Sequence, residues 1–129
     1  MLRKSILVIS DQHAPYHHID TLDFLKAIKL KYKPDCVVNI GDEMDWHSIS
    51  FHDSHPGLYS PSHELVVAKK FFQELEKIFP KQYIMDSNHG SLVFRKATKH
   101  GLPHEIFKSY NNMLGVGKGW TWHDDLIIK

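Results

Sequence analysis

Cysteine is nearly absent from this chain: Cys36 stands alone among 129 residues, which excludes an internal disulfide and with it the disulfide-stapled secreted scaffolds. It lies in the apolar run Cys36-Val37-Val38, where a small thiol reads as core packing. Long apolar runs are missing too. Met1-Leu2-Arg3-Lys4 leads only into the short run Ser5–Ser10, which is too short for a signal-peptide core or a membrane span. A dominant charge is also lacking, since sixteen Lys and Arg against fifteen Asp and Glu leave a formal +1. Composition therefore gives no pull towards nucleic acid or a membrane surface. No repeat, low-complexity segment or linker divides the sequence, so one domain over residues 1–129 with a single core is expected. Together these scarcities predict a cytoplasmic protein with no membrane partner.

What is abundant is histidine, eleven in all, several beside acids. Imidazole is the commonest metal ligand and the side chain that titrates near neutral pH. The chain around these histidines alternates strand and helix patterns. Ser5–Ser10 is a continuous aliphatic run, the pattern of a central strand buried on both faces. Asp20 is placed to cap a helix with Leu22, Leu25, Ile28 and Tyr32 on one face, and Pro34 ends it. Asp35–Ile40 is a second buried strand, closed by Gly41. The strand–helix–strand order wants parallel pairing through a crossover. An irregular stretch from Met44 to Ser62 follows, carrying His47, His52 and His55, and His63 comes just after it; a loop of that length is often functional. Ser62 is expected to cap a helix with the stripe Leu65, Ala68, Phe71, Phe72, Leu75, Ile78 and Phe79, ended by Pro80. A third strand is expected over Gln82–Met85, then helices near Leu92–His100 and Pro103–Leu114. A strand over all or part of Thr121–Ile128 closes the series. The fold class is thus α/β, a parallel or mixed sheet with flanking helices.

In open α/β sheets the carboxyl ends of the strands form the ligand crevice. Here those ends carry Ser10-Asp11-Gln12-His13, Gly41-Asp42-Glu43-Met44-Asp45 and Asp86-Ser87-Asn88-His89-Gly90. Asp11 and His13, two apart on a turning segment, can lean towards one ion. Asp42 has two oxygens and can bridge two cations about 3.5–4 Å apart. Asn88 supplies a neutral oxygen that adds no charge against an anionic phosphate, and His89 is placed to stabilise or protonate a phosphoryl group. Mixed oxygen and nitrogen donors suit manganese, iron, zinc or similar divalent ions rather than a thiolate-rich structural zinc site.

The ordered blocks Asp11-Gln12-His13, Gly41-Asp42-Glu43-Met44-Asp45 and Asn88-His89 resemble the DxH, GDxxD and NH motifs of the calcineurin-like metallophosphoesterases. The resemblance covers most of the chain and implies the first half of an αββα sandwich. It implies a hydrolase of phosphate mono- or diesters that uses a water activated by two divalent metal ions, manganese first, with iron, zinc or nickel as alternatives. By it, Asp11, His13 and Asp42 bind one metal, and Asp42 and Asn88 the other. His89 is then the catalytic acid facing phosphate, and Asp45 orients its neighbours. The expected partner is a phosphate-ester substrate: a nucleotide, a nucleic acid or a phosphoprotein. The family pattern carries glycine before the Asn and an acid after the His, where this chain has Ser87 and Gly90. It also adds a further His and a GHxH block that this sequence lacks. The alternative expectation is accordingly a catalytically incomplete metal-binding domain that needs a separate C-terminal half. Elsewhere, Gly115–Gly119 lacks the spacing of a phosphate loop and reads as a turn. Trp120 and Trp122 read as alternating positions of a half-buried strand.

Overall fold

The computed structural model describes residues 5–128. Four short strands, β1 (Ile6–Ile9), β2 (Cys36–Asn39), β3 (Gln82–Met85) and β4 (Trp120–His123), form one sheet in the order β1-β2-β3-β4. Every pair is parallel, with Ile9 opposite Asn39, Asn39 opposite Ile84, and Ile84 opposite Trp122. Helices α1 (Thr21–Tyr32), α2 (Pro61–Ile78), α3 (Leu92–Lys99) and α4 (Tyr110–Leu114) fill the connections, with 3-10 turns at His47–Ile49 and His104–Ile106.

The sequential strand order decides where the core can be. Crossovers of one hand between successive neighbours deliver their helices to the same side of a sheet. Side chains alternate along each strand, so Leu7, Ile9, Val37, Ile84, Trp120 and Trp122 face the helices and join one core with Leu25, Phe71, Phe72 and Leu75. Helix α2 is the main contributor. Its predicted stripe is buried from Ala68 to Phe79 with Leu65 half-buried, and each fully covered Phe or Leu contributes about 1.5–3 kcal/mol of transfer free energy. The opposite face of the sheet is largely uncovered: Ile6 is 44% exposed, Val8 56% and Tyr83 42%. Parallel sheets ordinarily have both faces covered.

This overturns the expectation for the first strand. β1 is an edge strand open on one face, because each new strand adds on the far side of the last and none among the described residues flanks β1 on its other side. Local signals were also misassigned. Asp20 occupies the N-cap position of α1 without a side-chain capping bond, and Tyr32, read as part of the packed face, is exposed. Helix α2 is capped by Ser60, which accepts from the His63 amide, with Pro61 at the first helical position; Ser62 lies inside the helix. The single helix expected over Pro103–Leu114 is two elements. Phe107 is extended, and Ser109 starts a new cap by accepting from the Asn112 amide, so the chain cannot run through as one helix. The last strand ends at His123, while α3 and β3 match their expected ranges to within a residue.

Candidate metal centre

The exits of β1 and β2 run side by side beyond the sheet. Asp11 N–H donates to Gly41 O (3.1 Å), His13 N–H to Asp42 O (3.0 Å), Ala14 N–H to Glu43 O (2.9 Å) and Asp45 N–H to Ala14 O (2.9 Å). A parallel bridge between Ala14 and Met44 continues the pairing. Between Asp11 and His13 the side chain of Gln12 turns inward, 7% exposed, and its Oε1 accepts from Asn39 Nδ2 at 2.7 Å. Asp11 and His13, on either side of it, turn instead towards Asp42.

The backbone is strained where the ligands were expected. Five non-glycine residues among those described have positive φ, and three of them are Asp11 (54°), His13 (49°) and Asp42 (53°). A non-glycine residue in this region costs on the order of 1–3 kcal/mol and persists only where its surroundings hold it. The loop-to-loop hydrogen bonds supply that restraint.

Ligand atoms of Asp11, His13 and Asp42 lie within 4.8 Å of one another. His13 Nε2 is 3.6 Å from Asp11 Oδ1, while His13 Nδ1–H donates to Asp45 Oδ1 at 2.8 Å. Asp45 therefore fixes the ring and its tautomer, leaving the Nε2 lone pair for the rim. A second grouping, His13, Asp45 and His89, meets the same distance. Its contacts include the His13–Asp45 hydrogen bond, so it acts as the support of the first grouping.

The exit of β3 is tied to this frame by Ser87, whose Oγ accepts from the amides of Asp42 (2.8 Å) and Gly90 (3.1 Å). Gly41, at φ 108°, passes so close that a Cβ there would stand 2.4 Å from Ser87 Cβ. Gly90 has a different reason to be glycine: a Cβ there would lie 2.9 Å from Glu43 Oε1. His89 N–H donates to Asp42 Oδ1 (3.1 Å) and its Nδ1–H to the Asp45 carbonyl (2.6 Å), with the ring edge-on to His13 at 4.7 Å. That carbonyl orients His89 without an acid in position 90, and Nε2, on a side chain 41% exposed, makes no hydrogen bond among the described residues. Asn88 is exposed; its carbonyl accepts from Arg95 Nη1 at 3.0 Å, and its side chain makes no hydrogen bond among the described residues. The structure thus brings Asp11, His13, Asp42, Asp45 and His89 together, and leaves Asn88 at the edge of the cluster.

Sequence reasoning missed two buried acids. Glu43 is 1% exposed; its Oε1 accepts from Trp122 Nε1 at 3.1 Å, its Oε2 has no hydrogen-bond partner among the described residues, and burial pushes its carboxyl above the ordinary range. Glu64, fully buried in α2, accepts from the amides of His47 (2.9 Å) and Ser48 (3.1 Å) and from the Ser48 hydroxyl, which pins the long loop to the helix. Nothing in the spacing of either residue marks it, because its partners are distant in sequence. His47, His52, His55 and His63 join neither ligand grouping among the described residues.

Comparison of the chain with family models, curated proteins and solved structures finds no match. Two carboxylates and an imidazole with its far nitrogen held by a third carboxylate form a hard, mixed O/N donor set, which fits a divalent ion of the manganese, iron or zinc type.

Proposed function

We propose that this chain is a metal-dependent phosphoesterase of the calcineurin-like kind, built as the first half of that family's sandwich. The observation that carries the proposal is the convergence of Asp11, His13 and Asp42 within 4.8 Å, each held in left-handed backbone at the end of a parallel strand. Strain concentrated in these residues is what a preorganised ligand set costs. Asp11, His13 and Asp42 would hold one divalent ion, with Asp42 shared towards a second that Asn88 completes. When bound, such ions supply Lewis acidity to a phosphoryl oxygen and lower the pKa of a water. The protein groups have their own tasks. Asp45 keeps His13 in the tautomer that offers Nε2 outward. Asp42 Oδ1, already accepting from the His89 amide, ties the third strand exit to the first two. His89, with Nδ1–H given to the Asp45 carbonyl, has Nε2 free and, when protonated, donates to an anionic phosphoryl oxygen.

The test is calorimetric titration with Mn(II) together with a chromogenic phosphodiester assay. Turnover that depends on manganese and disappears in Asp42→Asn is expected; unchanged turnover in that variant sinks the bridging assignment.

A second reading is favoured by the uncovered sheet face, where Ile6, Val8 and Tyr83 lie exposed. In it the chain binds metal but turns over only when a further half, supplied by a partner, covers that face. Tight manganese binding without hydrolysis is its signature.

A further inference from the structure

Composition gave no reason to expect a polyanion, yet the fold gathers three cations at one place. Arg95, Lys96 and Lys99 of α3 converge on the ring of Phe51 in the long loop, at 5.8, 5.1 and 4.7 Å from its centroid. Lys96 Nζ also donates to Ser50 O at 3.1 Å, and Arg95 to Asn88 O, the residue beside His89. Among the described residues none of the three forms an ion pair with a carboxylate. Cations in the last turn of a helix complement its dipole, which accounts for Lys96 and Lys99. It does not account for Arg95, nor for convergence on a loop aromatic that remains 46% exposed. The ring face attracts the three charges and holds together a cluster whose members repel one another. An anion would complete such a cluster.

The patch adjoins the candidate metal centre through Arg95 and Asn88. The β1 exit carries Tyr16, 36% exposed and stacked on Tyr59 (5.9 Å), which in turn stacks on His63 (4.6 Å). Tyr16 N–H donates to His13 O at 2.7 Å, which ties this platform to the β1 exit of the same centre. A basic patch and an aromatic platform that both adjoin one centre suit a ligand with phosphates in series and bases between them.

We infer that the substrate is a single-stranded nucleic acid, with Arg95, Lys96 and Lys99 gripping phosphates next to the one at the metal centre. This rests on the phosphoesterase reading for the scissile group only; strand binding itself needs neither metal nor turnover. The experiment is fluorescence anisotropy of the full chain with a labelled oligothymidylate of about twelve nucleotides, in chelator, across a salt series. The wild type and Asp42→Asn are expected to bind it with affinity that falls as salt rises. The Lys96→Gln/Lys99→Gln double variant, which keeps good helix formers, should lower the logarithmic salt slope by about 1.4, two single-strand phosphate contacts. Lys96→Arg/Lys99→Arg should restore it. A double Gln variant with wild-type affinity and slope overturns the inference, as does a phosphopeptide or nucleoside triphosphate that competes as strongly as the unlabelled oligonucleotide. Hydrolysis of the chromogenic diester without strand binding refutes the strand and leaves the phosphoesterase standing. Strand binding without hydrolysis does the reverse.

Discussion

The two halves of the candidate centre are built differently. At the exits of β1 and β2, four loop-to-loop backbone bonds hold three left-handed ligand residues, and the His13–Asp45 hydrogen bond fixes the imidazole. At the exit of β3, Ser87 and the His89 backbone are anchored, but Asn88 is exposed with an uncommitted side chain. A rigid half can charge little for binding an ion, since its ordering was accomplished during folding, whereas a looser half must be ordered by the ligand. We therefore expect the Asp11–His13–Asp42 ion to bind first and more tightly.

The comparison can be broken most forcefully at Gly41. A methyl group there meets both the positive φ and the 2.4 Å approach to Ser87 Cβ, so Gly41→Ala should destabilise the fold by about 3 kcal/mol in urea denaturation and separate the two halves. A change below about 0.5 kcal/mol would mean that the passage past Ser87 is not tight. The next effect sharpens the contrast between the halves. Asp45→Ala takes the acceptor from His13 Nδ1–H and should weaken manganese binding about 10–100-fold by titration, while His89→Ala should leave the first ion's affinity where it was. Equal losses in both variants would show that the halves act as one.

The smallest effect concerns how the β1 exit is held down on α2. His17 stacks on Phe71 at 3.9 Å, its Nδ1 has no partner, and burial holds its pKa below the ordinary 6.5. The unfolded chain therefore takes up this proton first as pH falls. Its contribution to stability is complete above the unfolded pKa and is lost as pH drops through and below about 6.5, at no more than about 1.4 kcal/mol per pH unit. Thermal melts from pH 7.5 to 5.5 should show this slope in the wild type and a shallower one in His17→Phe; identical slopes would remove His17 from the account.

Much of the fold was readable in the chain because its signals are local. The stripe of α2, the run Gln82–Met85 and the punctuation by Pro34, Gly41 and Pro80 each act within a few residues, and the elements fall where they point. The failures were of two kinds. Ser60 rather than Ser62 caps α2, and Ser109 divides the last helical segment, because several serines compete for one cap and only the backbone geometry chooses among them. The double-sided burial expected of β1 failed because an aliphatic run says that a strand is apolar and not how many of its faces are covered.

The candidate site divides in the same way. Sequence alone determined which residue types stand at the strand exits, since Asp11, His13, Asp42 and His89 follow directly from where the apolar runs stop. The tertiary structure decided what those residues meet. It turned Gln12 inward, set Asp45 against His13, gave His89 a backbone carbonyl as its orienting partner, and buried Glu43 and Glu64 among partners far along the chain. It also drew Arg95, Lys96 and Lys99 onto Phe51, from two segments of a sequence whose charges nearly cancel. Strand and helix patterns depend on near neighbours, whereas hydrogen-bond partners and local electric fields depend on distances in space that only folding sets.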